Sequence, residues 1–184
     1  CALPIYLQQA RDAIRSAEFK EQLDHDLKQH VQNSTYYLTD AKNRQALLNH
    51  PAAEWKCSDM EGKDHALADY RGRVVVLDFW YRGCGWCIRA MPQVKEVAAH
   101  FQNQPVTILG MNTDGNEDDA RFVIEKMGLN YANLKATGVP EKYKVMGFPT
   151  LLIIDQAGIL RDIHVGYSPD LKDKVVKSIE RMLK

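Results

Sequence analysis

Two of the chain's four cysteines stand as Cys84-Gly85-Trp86-Cys87; the other two, Cys1 and Cys57, are isolated. Two sulfurs separated by two residues can form and break one bond between themselves. The chemistry also needs one of them as thiolate near neutral pH. Where such a pair stands at the turn from a strand into a helix, the unpaired backbone N–H groups and the positive helix end stabilise the anion of the first cysteine. Such surroundings lower a thiol pKa from about 8.5 into the range of roughly 3.5–7.5. Arg82 and Arg89 flank the motif and push in the same direction. In this reading Cys84 attacks and Cys87, one turn inside the helix, resolves the mixed disulfide.

The same four residues admit other chemistry. Half a zinc site would need two further ligands at workable spacing, and neither a second C-x-x-C nor an H-x-x-x-H exists. Haem attachment needs His directly after the second cysteine, where this chain has Ile88. A fixed structural disulfide stays open, although so short a loop gains little from closure. A thiol peroxidase would place Pro and Thr seven and three residues before the reactive cysteine; those positions hold Leu77 and Tyr81. A peptide-binding module with incidental thiols is the rival from outside enzymology. The six histidines (His25, His30, His50, His65, His100 and His164) show no ligand spacing and read as surface or satisfied residues. Asp114, Glu117, Asp118 and Asp119 read as an acidic first helical turn and not as a cation site. Cys57 reads as an inert buried thiol. No metal is expected.

The elements that would hold the pair are legible around it. Val74 to Trp80 is a β-branched and aromatic run, the pattern of a strand buried on both faces. A helical stretch follows from about Cys87 to Phe101, and Val106 to Met111 is a second buried strand. Asn116 is placed as an N-cap and Gly128 as a helix stop. Thr150 to Ile154 and Ile159 to Val165 read as strands. Ser168-Pro169 is placed at the opening of a last helix with Leu171, Val175, Val176, Ile179 and Leu183 as its apolar stripe. A β-α-β-α-β-β-α order of this kind predicts an α/β fold with a mixed central sheet flanked by helices.

Residues 1–50 differ in texture. Ala10, Ala13, Ile14 and Ala17, then Leu23, Leu27 and Val31, recur at helical spacing, and Thr39 is placed as the cap of a further short helix through Leu48. The expectation is a helical N-terminal extension of two or three helices over 1–50, with the end of a preceding domain as the alternative, and a second domain over 51–184. Because residue 1 is Cys, the chain reads as a segment of a longer protein or as a processed one, with a lipid-anchored start as the alternative. The 184 residues carry 24 basic and 24 acidic side chains. That balance points away from nucleic acid. No apolar run approaches the roughly 18 residues that span a bilayer.

From about Ala52 to Lys184 the sequence resembles the thioredoxin superfamily, and within it the TlpA/ResA-type thiol–disulfide oxidoreductases. Asp69 to Trp80 is similar to that family's approach to its first core strand, with Cys84 to Cys87 at the matching offset. Pro92 matches a proline inside the active-site helix, Gly147-Phe148-Pro149-Thr150 a cis-proline loop, and Gly166 the glycine before the last helix. The stretch from about Thr113 to Lys135 is similar to the insertion that distinguishes this subgroup. The resemblance implies a thioredoxin-like fold and exchange between dithiols and protein disulfides, with no cofactor beyond the Cys84–Cys87 disulfide. It implies a protein thiol or disulfide client, an upstream thiol donor or acceptor, and a periplasmic or membrane-tethered location. It also implies that Asp78 is a buried acid assisting proton transfer, that Phe148 and Pro149 shape the peptide groove, and that Trp86 is a docking surface. Two departures stand out. Gly110 occupies the place of thioredoxin's lysine partner to the buried acid, and Ala90 the place of the glutamate three residues after the second cysteine in the ResA branch.

Overall fold

A computed structural model describes Gln9 and residues 11–184, so Cys1 and Ala10 lie outside the described residues. The chain divides into two compact units between Asn43 and Arg44. Among the described residues before Leu48 there are a helical stretch at 11–13 and one long helix, α1 (Ala17–Leu47), which runs unbroken through the expected start of a further helix at Thr39. Thr39 lies inside α1 and caps nothing. No glycine or proline falls between 17 and 47 to stop the helix. Threonine within it is tolerated, as when the Thr35 hydroxyl donates to the Val31 carbonyl one turn back at 2.9 Å.

The second unit is built on a five-stranded sheet in the order β5-β4-β3-β6-β7. Its strands are β3 (Val74–Trp80), β4 (Val106–Asn112), β5 (Ala132–Lys135), β6 (Thr150–Ile154) and β7 (Leu160–Val165). A separate hairpin of β1 (Lys56–Ser58) and β2 (Asp64–Ala66) precedes them. β3, β4 and β5 run parallel, while β6 and β7 are antiparallel additions on the other side of β3. Central β3 is buried at all seven positions, which is why its sequence is a continuous apolar run and not an alternation.

Alternate residues of β3 enter different cores. Val74 and Val76 pack with Ala90, Val94 and Val97 of α2 (Gly85–His100) and with Leu171, Val175 and Ile179 of α5 (Leu171–Met182). Val75, Leu77 and Phe79 pack on the opposite face with Trp55, Leu67, Val139 and Tyr143. There the cover is a 3-10 turn (Leu67–Tyr70) and the short α4 (Val139–Lys142). The remaining helix, α3 (Glu117–Met127), begins and ends as its sequence implies. The Asn116 carboxamide accepts from the Asp118 N–H at 3.1 Å, and Gly128 closes it in the left-handed region at φ 55°. The last helix starts at Leu171, two residues later than Pro169. Its N-cap, Asp170, has no side-chain cap bond.

Five short elements have no counterpart in the sequence reading: β1, β2, the 3-10 turn, β5 and α4. Each is three or four residues long, too short for periodicity to register. β5 matters most, because it turns the segment after β4 into a strand–helix–strand unit that adds an edge to the sheet.

Candidate active site

β3 ends at Trp80, and the chain turns through Tyr81, Arg82 and Gly83 into α2. The Cys84 N–H donates to the Tyr81 carbonyl at 3.1 Å, and the Ile88 N–H donates to the Cys84 carbonyl at 3.1 Å. Cys84 is the N-cap of α2, with extended backbone angles of φ −85° and ψ 93°. The Cys87 N–H points back at its sulfur, 3.1 Å from Sγ. The position that usually holds a serine or aspartate oxygen therefore holds a sulfur. A thiolate there receives a backbone hydrogen bond and sits at the positive end of a 16-residue helix.

Cys84 and Cys87 are disulfide-bonded, with Cα atoms 5.2 Å apart. Cys84 is 5% exposed and Cys87 1%, so the first sulfur is the more accessible of the two. Both pack with Trp80, Met91 and α3 residues Ala120 and Val123, and Phe148 closes this cluster from the side. The Phe148–Pro149 peptide bond is cis, and Pro149 is buried. Phe148 meets Tyr81 edge-on at 5.3 Å. Trp86, between the cysteines, is 55% exposed and stacks on Tyr167 at 5.7 Å. Pro92 lies within α2 and removes the N–H that would otherwise bond the Ile88 carbonyl.

The flanking cations do not sit on the thiols. The Arg82 guanidinium pairs with Asp119 and lies 4.7 Å over the Phe122 ring, while Arg89 lies 5.1 Å over Trp86. The backbone of α2 is thus the source of positive potential at Cys84 that the geometry displays. The acidic turn of α3 is engaged in pairs of its own: Asp119 with Arg82, and Glu117 with Arg121 and Lys135. Asp114 accepts from the Arg82 backbone N–H at 2.9 Å. Cys57 is partly buried beside the second core, and that burial pushes its thiol up.

Asp78 is 2% exposed. It stands on β3 two residues before Trp80 and on the same face, the face that α2 covers. Its strand neighbours are Gly110 on β4 and Leu151 on β6, so neither side brings a cation. The Tyr131 hydroxyl donates to Oδ2 at 3.1 Å. Burial pushes the carboxyl up to about 7, against the pull of that hydroxyl. Ala90, at the place of the ResA glutamate, is buried in the apolar core of α2 and contributes no proton chemistry.

Tyr131 and Tyr167 were not anticipated. No motif surrounds either, and each acquires its partner from a residue far away in sequence. Among the described residues no group of three His, Cys, Asp or Glu side chains is placed to hold a metal ion.

Residues 48–163 match the AhpC/TSA family. Thiol-disulfide oxidoreductase ResA of Geobacillus thermodenitrificans is 34% identical over 117 residues, covering 62% of this chain and 67% of the relative. Among solved structures, a thiol:disulfide interchange protein DsbE from Chlorobium tepidum superposes with a TM-score of 0.70 at 27% identity. That match covers 74% of this chain and 98% of the other. The thioredoxin domain of a thiol-disulfide oxidoreductase from Bacteroides vulgatus gives 0.65 at 27% identity, covering 72% and 97%.

Proposed function

The chain belongs to the AhpC/TSA family, and from that premise we infer that it is a thiol–disulfide oxidoreductase exchanging electrons with protein disulfides through Cys84 and Cys87. The observation that carries the reading is the Cys87 N–H aimed at the Cys84 sulfur at the start of α2. In the reduced protein the Cys84 thiolate attacks one sulfur of a client disulfide. The client S–S bond breaks, and one client sulfur leaves as thiolate. Cys87 then gives up its proton and attacks the Cys84 sulfur. That step closes the Cys84–Cys87 disulfide and releases the second client thiolate, so two electrons have passed to the client. The same steps in reverse oxidise a client dithiol.

We assign the roles on these positions. Cys84 is the nucleophile and Cys87 the resolving thiol. Asp78, held near neutral by its burial, takes and returns the Cys87 proton. Phe148, packed against the cysteine cluster, and Pro149 after it form the wall of the groove that a peptide enters, and exposed Trp86 is its rim. The client is a protein, the electron partner a second thiol protein, and no cofactor beyond the disulfide takes part. We place the work outside the cytoplasm, in a periplasmic or membrane-tethered protein, on the resemblance to the ResA type. Among the described residues no helix is long and apolar enough to cross a membrane. We assign the activity to residues 51–184 and take 1–50 as an N-terminal extension, helical over 17–47.

Insulin-disulfide reduction with dithiothreitol tests the reading. Cys84→Ser should fall to the uncatalysed rate. Equal rates for variant and wild type overturn the assignment.

A further inference from the structure

Gly110 leaves the buried acid of β3 without the cation that a lysine there would supply. The structure supplies a different partner, and three strands in register show how. Asp78 on β3 stands opposite Gly110 on β4, and Gly110 stands opposite Asn133 on β5. A side chain at Gly110 is excluded: a Cβ would lie 1.9 Å from Asn133 Oδ1 and 2.9 Å from Trp80 Nε1. The space above the glycine is filled by the Asn133 carboxamide. Its Oδ1 accepts from the Trp80 indole N–H at 3.1 Å, and its Nδ2 donates to the Tyr131 carbonyl at 2.8 Å. Those two bonds tie the first residue before β5 to the tryptophan that packs on both cysteines. From that anchored backbone the Tyr131 hydroxyl reaches Asp78 Oδ2 at 3.1 Å.

We propose that Tyr131, held by Asn133, is the positioning residue that orients the Asp78 carboxylate and sets how readily it takes the Cys87 proton. The proposal deepens the proton-transfer role given to Asp78 above and rests on it. A phenol differs from a lysine here in one useful respect. It donates a hydrogen bond without bringing a full charge, so it restrains the effect of burial without abolishing it. Burial and Asp78 push the phenol's own ionisation well above its usual range, so it remains a donor throughout. The groups facing Asp78 are few: Gly110 on β4, Leu151 on β6, Tyr131 before β5, and the apolar face of α2 with its two cysteines. Among the described residues Tyr131 is the one side-chain hydrogen-bond donor that acts on it, and no charged side chain shifts it.

The test separates this proposal from the role of Asp78 itself. Reduced protein mixed with equimolar 5,5′-dithiobis(2-nitrobenzoate) releases one thionitrobenzoate when Cys84 attacks and a second when Cys87 resolves. The pH dependence of the second phase reads the proton transfer, and full first-phase amplitude reports folded, competent protein. Tyr131→Phe should move the midpoint of the second phase upward by about one pH unit. The Asp78 carboxyl carbon, followed by 13C NMR in the same variant, should move with it. Asp78→Asn should remove the midpoint. If Tyr131→Phe leaves both titrations in place while Asp78→Asn removes the midpoint, the proposal is overturned and the role of Asp78 stands. If Asp78→Asn leaves the second phase unchanged, the Asp78 reading fails and this proposal fails with it.

Discussion

Asp59 and Asp78 are both buried aspartates, 6% and 2% exposed, and they are driven in opposite directions. Asp59, beside the β1–β2 hairpin, has a full set of donors. Oδ1 takes the backbone N–H groups of Glu61 and Lys63 at 3.0 and 2.8 Å, and Oδ2 meets His65 Nε2 at 2.9 Å. The imidazole and then those amides hold its carboxyl below the usual range in spite of burial. Asp78 has one hydroxyl, and burial wins. Burial raises both carboxyls; the imidazole and amides outweigh it at Asp59, whereas a single hydroxyl does not at Asp78, the deeper of the two. The well-served aspartate clasps a turn, with the far side of His65 bonded to Tyr70 at 2.5 Å. The underserved one lies under the helix that carries the thiols.

The contrast can be broken most strongly at Asp78. Its folded pKa is raised from 3.8 to about 7, so the folded chain holds a proton that the unfolded chain has released. Stability is full below 3.8, declines as pH rises to about 7, and then levels off. Asp78→Asn should abolish that decline and be more stable than wild type at pH 8 by on the order of 4 kcal/mol, read from urea unfolding. A variant no more stable than wild type at pH 8 would show that burial does not raise the Asp78 carboxyl in the folded chain.

Next comes the cross-strand neighbour. Gly110→Ala forces the Asn133 carboxamide aside and breaks its bond to Trp80, with a cost of about 3 kcal/mol from overpacking and the lost hydrogen bond. The same unfolding measurement reads it. A loss below about 0.5 kcal/mol would mean that the core there yields more easily than close packing allows.

Asp59→Ala should cost about 2 kcal/mol at pH 7, because it leaves two backbone N–H groups without their acceptor. Its pH window lies on the other side. The Asp59 contribution is present above 3.8 and is lost as pH falls through its lower folded value. As pH falls, the Asp78 term therefore adds stability between about 7 and 3.8, and the Asp59 term removes it only below 3.8. Cys87 resolution should keep its wild-type pH profile in Asp59→Ala, since the hairpin aspartate has no part in it.

Legibility followed the range of each interaction. The strand Val74–Trp80, the helix after Cys84, the Asn116 cap and the Gly128 stop were readable because each depends on residues within a few positions. The disulfide pair was readable for the same reason. The N-terminal segment misled through Thr39, since a cap residue inside a glycine-free helix need not cap anything. Arg82 misled in another way. Its position beside Cys84 promised a cation for the thiolate, but Asp119, brought up by α3, takes the guanidinium. That Gly110 brings no cation to Asp78 from β4 was legible. What replaced the missing lysine was not, because a four-residue polar strand has no pattern to show.

From the chain alone came the spacing of Cys84 and Cys87, the strand and helix that present them, and the placing of Asp78 inside a buried strand. These are local facts, written in periodicity and turn chemistry. Tertiary structure alone decided what Asp78 meets, because its partners come from β4 and from the start of β5, 32 and 53 residues further along. Register across a sheet is set by the joint burial of many side chains. The hydroxyl that faces a carboxyl there is settled only when the whole sheet has closed.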